Sequence, residues 1–327
     1  MTAFSLEARL WLVLAAIVID AAIGDPDWIW RRIPHPVTWF GALIGAFDRW
    51  LNRDSSGQAL RRAMGTFTIV VLVTLAWAAG LLIERSLARF DHGFVFVPVI
   101  GSVFLASRSL YDHVDRVRQS FADGGLRAAR KAVSMIVGRD PDSLDEAGVS
   151  RAAIESTAEN FSDGFVAPAL WMAIFGLPGL FAYKLINTAD SMIGHRTARH
   201  EAFGWAAARL DDLVNLPASR LSGFLIAMAA PFVGGTIKQS FLVMLDDAGK
   251  HRSPNAGWPE AAMAGALDIA LAGPRRYGER IVDDPFLNDS GRHDASVNDI
   301  KRASRVLFAA TALAGVLVAI IALWLLS

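Results

Sequence analysis

Cysteine is absent from the 327-residue chain, which excludes disulfides, thiolate metal sites and cysteine nucleophiles and leaves the redox compartment open. A prevailing charge is absent as well. Lys and Arg total 32 and Asp and Glu total 32, so no overall field recruits nucleic acid, which is not an expected partner. The chain holds no GxxxxGK[ST] phosphate loop, no GxGxxG after a strand, no HExxH and no GxSxG, so any use of ATP must rely on a less standard arrangement. No stretch alternates with period two, and no internal repeat or low-complexity tract stands out.

What is present is apolar residue in quantity, 53% hydrophobic, threaded with 20% charged residues. That mixture points to membrane spans joined by sizeable polar segments. A bilayer core needs about 20 mostly apolar residues per helix, and Gly65 to Ile83 and Val306 to Leu326 meet this cleanly. Leu10 to Gly24 reads as a retained helix, because Asp20 and a GDP turn follow where a signal peptide would have a small-residue cleavage site. Phe94 to Ala106 and Leu221 to Gly235 are shorter and interrupted by Pro98, Pro231 and glycines. Five spans are expected, with polar loops at about 25–64, 107–163, 187–212 and 238–305.

Within the second loop, Leu110, Val114, Val117 and Phe121 keep helical spacing, Gly124 and Gly125 break it, and Leu126, Ala129, Val133 and Ile136 resume it. This predicts a helical hairpin. Ser143 and Glu146 fit a capping box that would open the next helix. The expected fold is all-α: one integral membrane domain over residues 1–327, a polytopic helical bundle with helical membrane-side loops. Basic residues crowd three of the polar segments, which conflicts with simple alternation under the positive-inside rule. Pro168 and the turn Gly176 to Gly179 would resolve the conflict by making Phe165 to Tyr183 a re-entrant or broken helix.

Residues 151–220 carry the polar groups that a bilayer tolerates worst unless they pair, bind or face water. On a regular helix Glu155, Glu159 and Asp163 project within one arc. Magnesium suits such a set, since it takes a few carboxylates and keeps waters and phosphate oxygens; a solvated acidic face is the equal alternative. Lys184, Asn187 and Ser191 share a helical face with Asp190 beside them and His195 and Arg196 just beyond. A phosphate or carboxylate could be held there, or the group could be an interfacial helix end with snorkelling cations. Arg209, Asp211, Asp212, Asn215 and Arg220 form a third group, which by itself reads best as a lattice tying helices together. His35 precedes Pro36 and either binds a ligand or caps a turn. Pro259 and Glu260, ahead of AAMAGAL, mark a helix start whose backbone donors could accept an anion and whose small residues permit close helix contact.

Taken in order, DAAIGDP, HPV, ESTAENFSDGFVAPALW, NTADSMIGHR, FGWAAARLDDLVNLPASR and SPNAGWPEAAMAGAL resemble the CobD/CbiB family of membrane proteins in cobalamin biosynthesis. The likeness runs from about Asp20 to Tyr277, and six ordered motifs are far more specific than one. The resemblance implies a multi-pass protein of the cell inner membrane, in contact with membrane lipid, with adenosylcobinamide-phosphate synthase activity. Adenosylcobyric acid and aminopropanol phosphate, or a related amino alcohol, would be joined through an amide using ATP and Mg2+. Other late enzymes of that pathway are partners the resemblance allows.

On that reading Glu155, Glu159, Asp163 and Asp190 are the expected magnesium ligands. Lys184, Asn187, Asp190, Arg196 and Asn255 are expected on phosphate or substrate, and Arg209 and Arg220 on anionic substrate groups. A carboxylate of the acidic group or His35 is the expected proton acceptor. Three rivals remain at this stage. A corrinoid transporter would share the broken helices, a scaffold would bind without turnover, and a polyprenyl-type transferase would need paired aspartate motifs that this spacing does not match.

Overall fold

A computed structural model describes residues 2–135, 144–277 and 280–327. Helices dominate, because apolar runs in lipid must satisfy every backbone group internally. In chain order they are α1 (Leu6–Ile23), α2 (Asp27–Trp30), α3 (Pro36–Leu51), α4 (Gln58–Leu87), α5 (Phe96–Ser102), α6 (Ser107–Val133), α7 (Glu146–Phe161) and α8 (Ala167–Ile193). They continue with α9 (Trp205–Ala229), α10 (Ile237–Asp247), α11 (Gly257–Leu267) and α12 (Val297–Trp324).

Among the described residues five helical stretches are long and apolar enough to cross a membrane: Gln58–Leu87, Gly93–Val133, Glu146–Ile193, Trp205–Val233 and Val297–Trp324. The protein is therefore a polytopic helical membrane protein. The number equals the expectation but the membership differs. α1 spans 18 residues and includes Glu7, Arg9 and Asp20, and it is not among the five. The stretch through Phe165 to Tyr183 is among them, and it is broken as expected: Gly176 leaves helical geometry at φ 69° and ψ −154°.

The chain divides into two compact units. One comprises Met1–Leu105, Ala167–Asn215 and Val318–Ser327; the other comprises Ala106–Val166 and Leu216–Leu317. In the first unit α8 packs on α4, α1 and α3. Between membrane helices no hydrophobic drive assists association, so small residues that let backbones approach carry the packing. A Cβ on Gly80 would lie 2.7 Å from the Leu177 backbone, and one on Gly65 would lie 1.8 Å from the Phe203 carbonyl oxygen. The break in α8 is held by Glu84, a fully buried carboxylate in the last turn of α4. It accepts the amides of Leu177 (2.8 Å) and Ala3 (2.8 Å).

In the second unit α7 packs on α6 and α11, and α10 packs on α11. The Ser240 hydroxyl donates to the Ala262 carbonyl (2.6 Å), so the small-residue run does bring helices close. α6 breaks at Gly124 and Gly125, the latter at φ 62°. α7 starts at Glu146 with Asp145 as its cap, accepting the Gly148 amide (2.7 Å); Ser143 and Ile136 lie outside the described residues. Two antiparallel ribbons were not expected: β1 (Leu271–Ala272) pairs with β4 (Phe286–Leu287), and β2 (Arg275–Tyr277) with β3 (Arg280–Val282). They form where Gly273, Pro274 and Pro285 end any helical pattern.

Candidate active site

The first unit gathers a polar network between α8 and the first three turns of α9. Tyr183, Asn187 and Asp190 lie at helical spacing i, i+4 and i+7 on α8, and Asp211 and Asn215 at i and i+4 on α9, so each set shares a face. The Tyr183 hydroxyl donates to Asn215 Oδ1 (2.9 Å), Asn215 Nδ2 donates to Asp211 Oδ2 (3.0 Å), and Asn187 Nδ2 donates to Asp211 Oδ1 (3.4 Å). Asp211 is 8% exposed. Asp190 and Asp212 are close enough for their charges to oppose that of Asp211, whereas Asp190 gains from His195. Arg209 Nη1 reaches Asp212 at 3.4 Å.

Lys184 is half-buried, and Arg196 is exposed beyond the end of α8. A buried carboxylate beside a second carboxylate, with amides as its hydrogen-bond donors, is an unfavourable arrangement in isolation. A cation relieves it. Among the described residues no three His, Cys, Asp or Glu side chains gather at one metal-holding point. Magnesium does not require three, because it is commonly held by one or two carboxylates plus substrate phosphates and water. Asp190 and Asp211 are the donor set that fits it, and of these only Asp190 belongs to the magnesium set expected from the sequence.

His35 has a different employment. It is the N-cap of α3: Nδ1 accepts the Val37 amide (3.2 Å), which leaves Nε2 to carry the proton and donate to the Val103 carbonyl (3.1 Å). Burial lowers its pKa, while Asp25 Oδ1 at 3.8 Å and the Val103 bond work the other way. Both nitrogens are thus engaged by the backbone.

The other expected residues lie in the second unit. Glu155 is buried, and its Oε1 accepts the Ala272 amide (2.7 Å), pinning a loop where Ala272 itself sits at φ 58°. Glu159 is exposed and Asp163 half-buried. Among the described residues these three acids do not gather at one metal-holding point. Glu155 and Glu159 belong to α7, whereas Asp163 lies within a π-turn, Ser162–Val166. Arg220 stacks on Trp258, 4.6 Å from the ring centroid, and its Nη1 donates to Asn255 Oδ1 (3.1 Å) and the Pro254 carbonyl (3.2 Å). Asn255, 6% exposed, also accepts from Ser219 (3.1 Å). Arg220 therefore folds the SPNAGWPE loop onto α9.

Sequence reasoning missed Tyr183, although it is one of only 3 tyrosines in the chain and stands at i−4 from Asn187. It also missed Glu84, for which no local signal exists.

The sequence pattern of the family described as CobD/Cbib protein matches residues 13–307. The chain is 54% identical over 312 residues to a cobalamin biosynthesis protein CobD from Sinorhizobium fredii, covering 94% of each chain. It is 52% identical to one from Rhizobium meliloti over 93% of this chain and 94% of that one. With one from Rhodobacter capsulatus it shares 49% identity over 85% of this chain and 86% of that one. No solved structure matches. Ordered motifs, membrane helices and near-complete coverage converge, and the chain belongs to the CobD/CbiB family of cobalamin biosynthesis proteins.

Proposed function

We propose that this protein catalyses ATP-dependent amide formation between a side-chain carboxylate of adenosylcobyric acid and the amine of aminopropanol phosphate, giving adenosylcobinamide phosphate. The observation that carries the reading is the α8 and α9 network, in which Asp211 is bonded by the amides of Asn187 and Asn215 and lies near enough to Asp190 for the two charges to oppose each other. The network lies within the family match.

A carboxylate does not condense with an amine unaided. Transfer of the γ-phosphoryl group of ATP to the corrinoid carboxylate would give an acyl phosphate and ADP; the amine would then displace phosphate and lose a proton. Bound magnesium, for which Asp190 and Asp211 are the proposed ligands, would neutralise phosphate charge. Asn187 and Asn215 orient the Asp211 oxygens, and Tyr183 fixes the Asn215 amide so that its NH2 faces Asp211. Lys184 and Arg196 are assigned to phosphate oxygens and Arg209 to an anionic substrate group. A carboxylate of the Asp190, Asp211 and Asp212 group takes the amine proton, since His35 has no nitrogen to spare.

In the second unit Arg220 and Asn255 are proposed to meet an anionic substrate group. Glu159 and Asp163 form a second candidate set for the metal, with Glu155 holding the loop beside them.

The test is ADP release by the purified protein as each substrate is withheld and magnesium is titrated. Release that needs both organic substrates, with Asp211→Asn and Asp190→Asn shifting the magnesium dependence, supports the reading. Release indifferent to the amino alcohol defeats it. The break in α8 at Gly176 is also a transporter feature; a transporter predicts corrinoid movement across liposomes with no change in corrinoid mass.

A further inference from the structure

A groove of about 610 Å³ lies in the first unit between the first turns of α4 and the segment leading into α9, lined by Gln58, Arg62, Thr66, Glu201 and Trp205. Its walls are firmly built. Gly65 lets the Phe203 backbone press against α4, and Phe203 is fully buried. Asp48 holds Arg199 (2.9 Å) and His200 (3.5 Å), while Asn52 donates to the Arg199 carbonyl (3.0 Å). This anchoring keeps Asp48 below the ordinary carboxylate range: burial would raise its pKa, but the bonds from Asn52 and Arg199 outweigh that.

Two opposite charges face this groove without neutralising each other. Arg62 lies over the Trp205 ring, 4.9 Å from its centroid. Among the described residues neither its guanidinium nor the Glu201 carboxylate has an ion-pair or hydrogen-bond partner. An occupant carrying phosphate at one end and a primary ammonium at the other satisfies both. The volume falls within the range of ordinary small-ligand sites.

Position selects the source of that chemistry. Arg62 precedes the apolar run of α4, which opens at Gly65, and Trp205 is the first residue of α9; both helices are among the five that can cross a membrane. Tryptophan and arginine at the ends of spans mark the headgroup level. We infer that the groove binds the aminoalkyl phosphate headgroup of a zwitterionic lipid of the phosphatidylethanolamine type. Arg62 takes the phosphate and Glu201 the primary ammonium. A quaternary ammonium cannot donate hydrogen bonds to Glu201, and an uncharged glycerol headgroup leaves that carboxylate unpaired, so the groove should favour ethanolamine over choline and glycerol lipids.

Native mass spectrometry of the full chain in detergent tests this with equimolar phosphatidylethanolamine, phosphatidylcholine and phosphatidylglycerol of identical acyl chains. The wild type should retain the ethanolamine lipid about tenfold over the others, which corresponds to about 1.4 kcal/mol. Glu201→Gln should erase that preference, Arg62→Gln should lower retention of all three lipids, and Lys238→Gln, an exposed charge on α10, should change neither. Equal retention of the three lipids by the wild type, a preference that survives Glu201→Gln, or retention unchanged in Arg62→Gln overturns the proposal. Displacement of the lipid by equimolar soluble phosphoethanolamine overturns its assignment to a lipid source.

Discussion

Asp211 is a buried carboxylate whose two oxygens are both bonded by side-chain amides and whose charge opposes that of Asp190. If this pair holds the magnesium that neutralises the reacting phosphates, Asp211→Asn and Asp190→Asn should each lower kcat/KM by roughly 10²- to 10³-fold while the purified protein keeps its helical content. Tyr183→Phe removes one hydroxyl from the chain of bonds that orients Asp211. Its expected cost is about 10- to 100-fold, read in the same assay. His35 makes a prediction in pH. Its folded pKa lies below the ordinary 6.5 because burial favours the neutral ring, so between that lower value and 6.5 the unfolded chain binds more protons. Stability is then full above 6.5 and falls as pH drops through that window. His35→Asn keeps a capping side chain but does not titrate, so the thermal midpoint of the variant should fall less than that of the wild type between pH 7 and pH 5. Equal slopes would contradict the assignment. At this scale Lys184, Asn187 and Ser191 were legible from spacing as one face with Asp190 beside them, and Asp211 and Asn215 were visible as part of a group read as tying helices, which their bonds to Asn187 and Tyr183 across α8 and α9 do. The π-turn at Ser162–Val166 was not legible, because no residue type announces one.

The break in α8 is the element on which the placement of that face depends. Gly176 adopts φ 69°, and a Cβ there would lie 2.1 Å from Glu84 Oε2, so the glycine is required both by conformation and by space. Beyond it, the second half of α8 begins at an amide that Glu84 accepts, an anion placed where a helix N-terminus favours one. Glu84→Ala leaves the Leu177 and Ala3 amides without this acceptor and should destabilise the protein by about 2–5 kcal/mol. Gly176→Ala should also lower the thermal midpoint in detergent, and a midpoint unchanged in both variants would contradict the account. The break itself was readable from Gly176 and Pro178. Its carboxylate cap was not, because Glu84 lies 93 residues away in sequence and resembles any polar residue closing a span. The short ribbons near residues 271–287 were missed for a related reason. Strands of 2 and 3 residues are too brief for any period to register.

For the whole molecule, an equal balance of charge and 53% hydrophobic content agree with five helical stretches able to cross a bilayer. Between and beside those stretches, polar groups are drawn into defined networks, each within its own unit: Tyr183 to Asp211 in one, and Arg220 with Asn255 in the other. Membrane burial makes such groups costly unless they serve a ligand or one another, and family membership ties the chain to cobalamin biosynthesis. Amide formation on a corrinoid is the activity proposed for this chain. The most direct test follows corrinoid mass and ADP together in one reaction containing the purified protein, adenosylcobyric acid, aminopropanol phosphate, ATP and magnesium. The expected result is a corrinoid that gains one amino alcohol phosphate, less water, for each ADP released, and loss of both signals in Asp211→Asn. A corrinoid that binds to the protein but keeps its mass, with aminopropanol phosphate and with alternative amino alcohols, would contradict it.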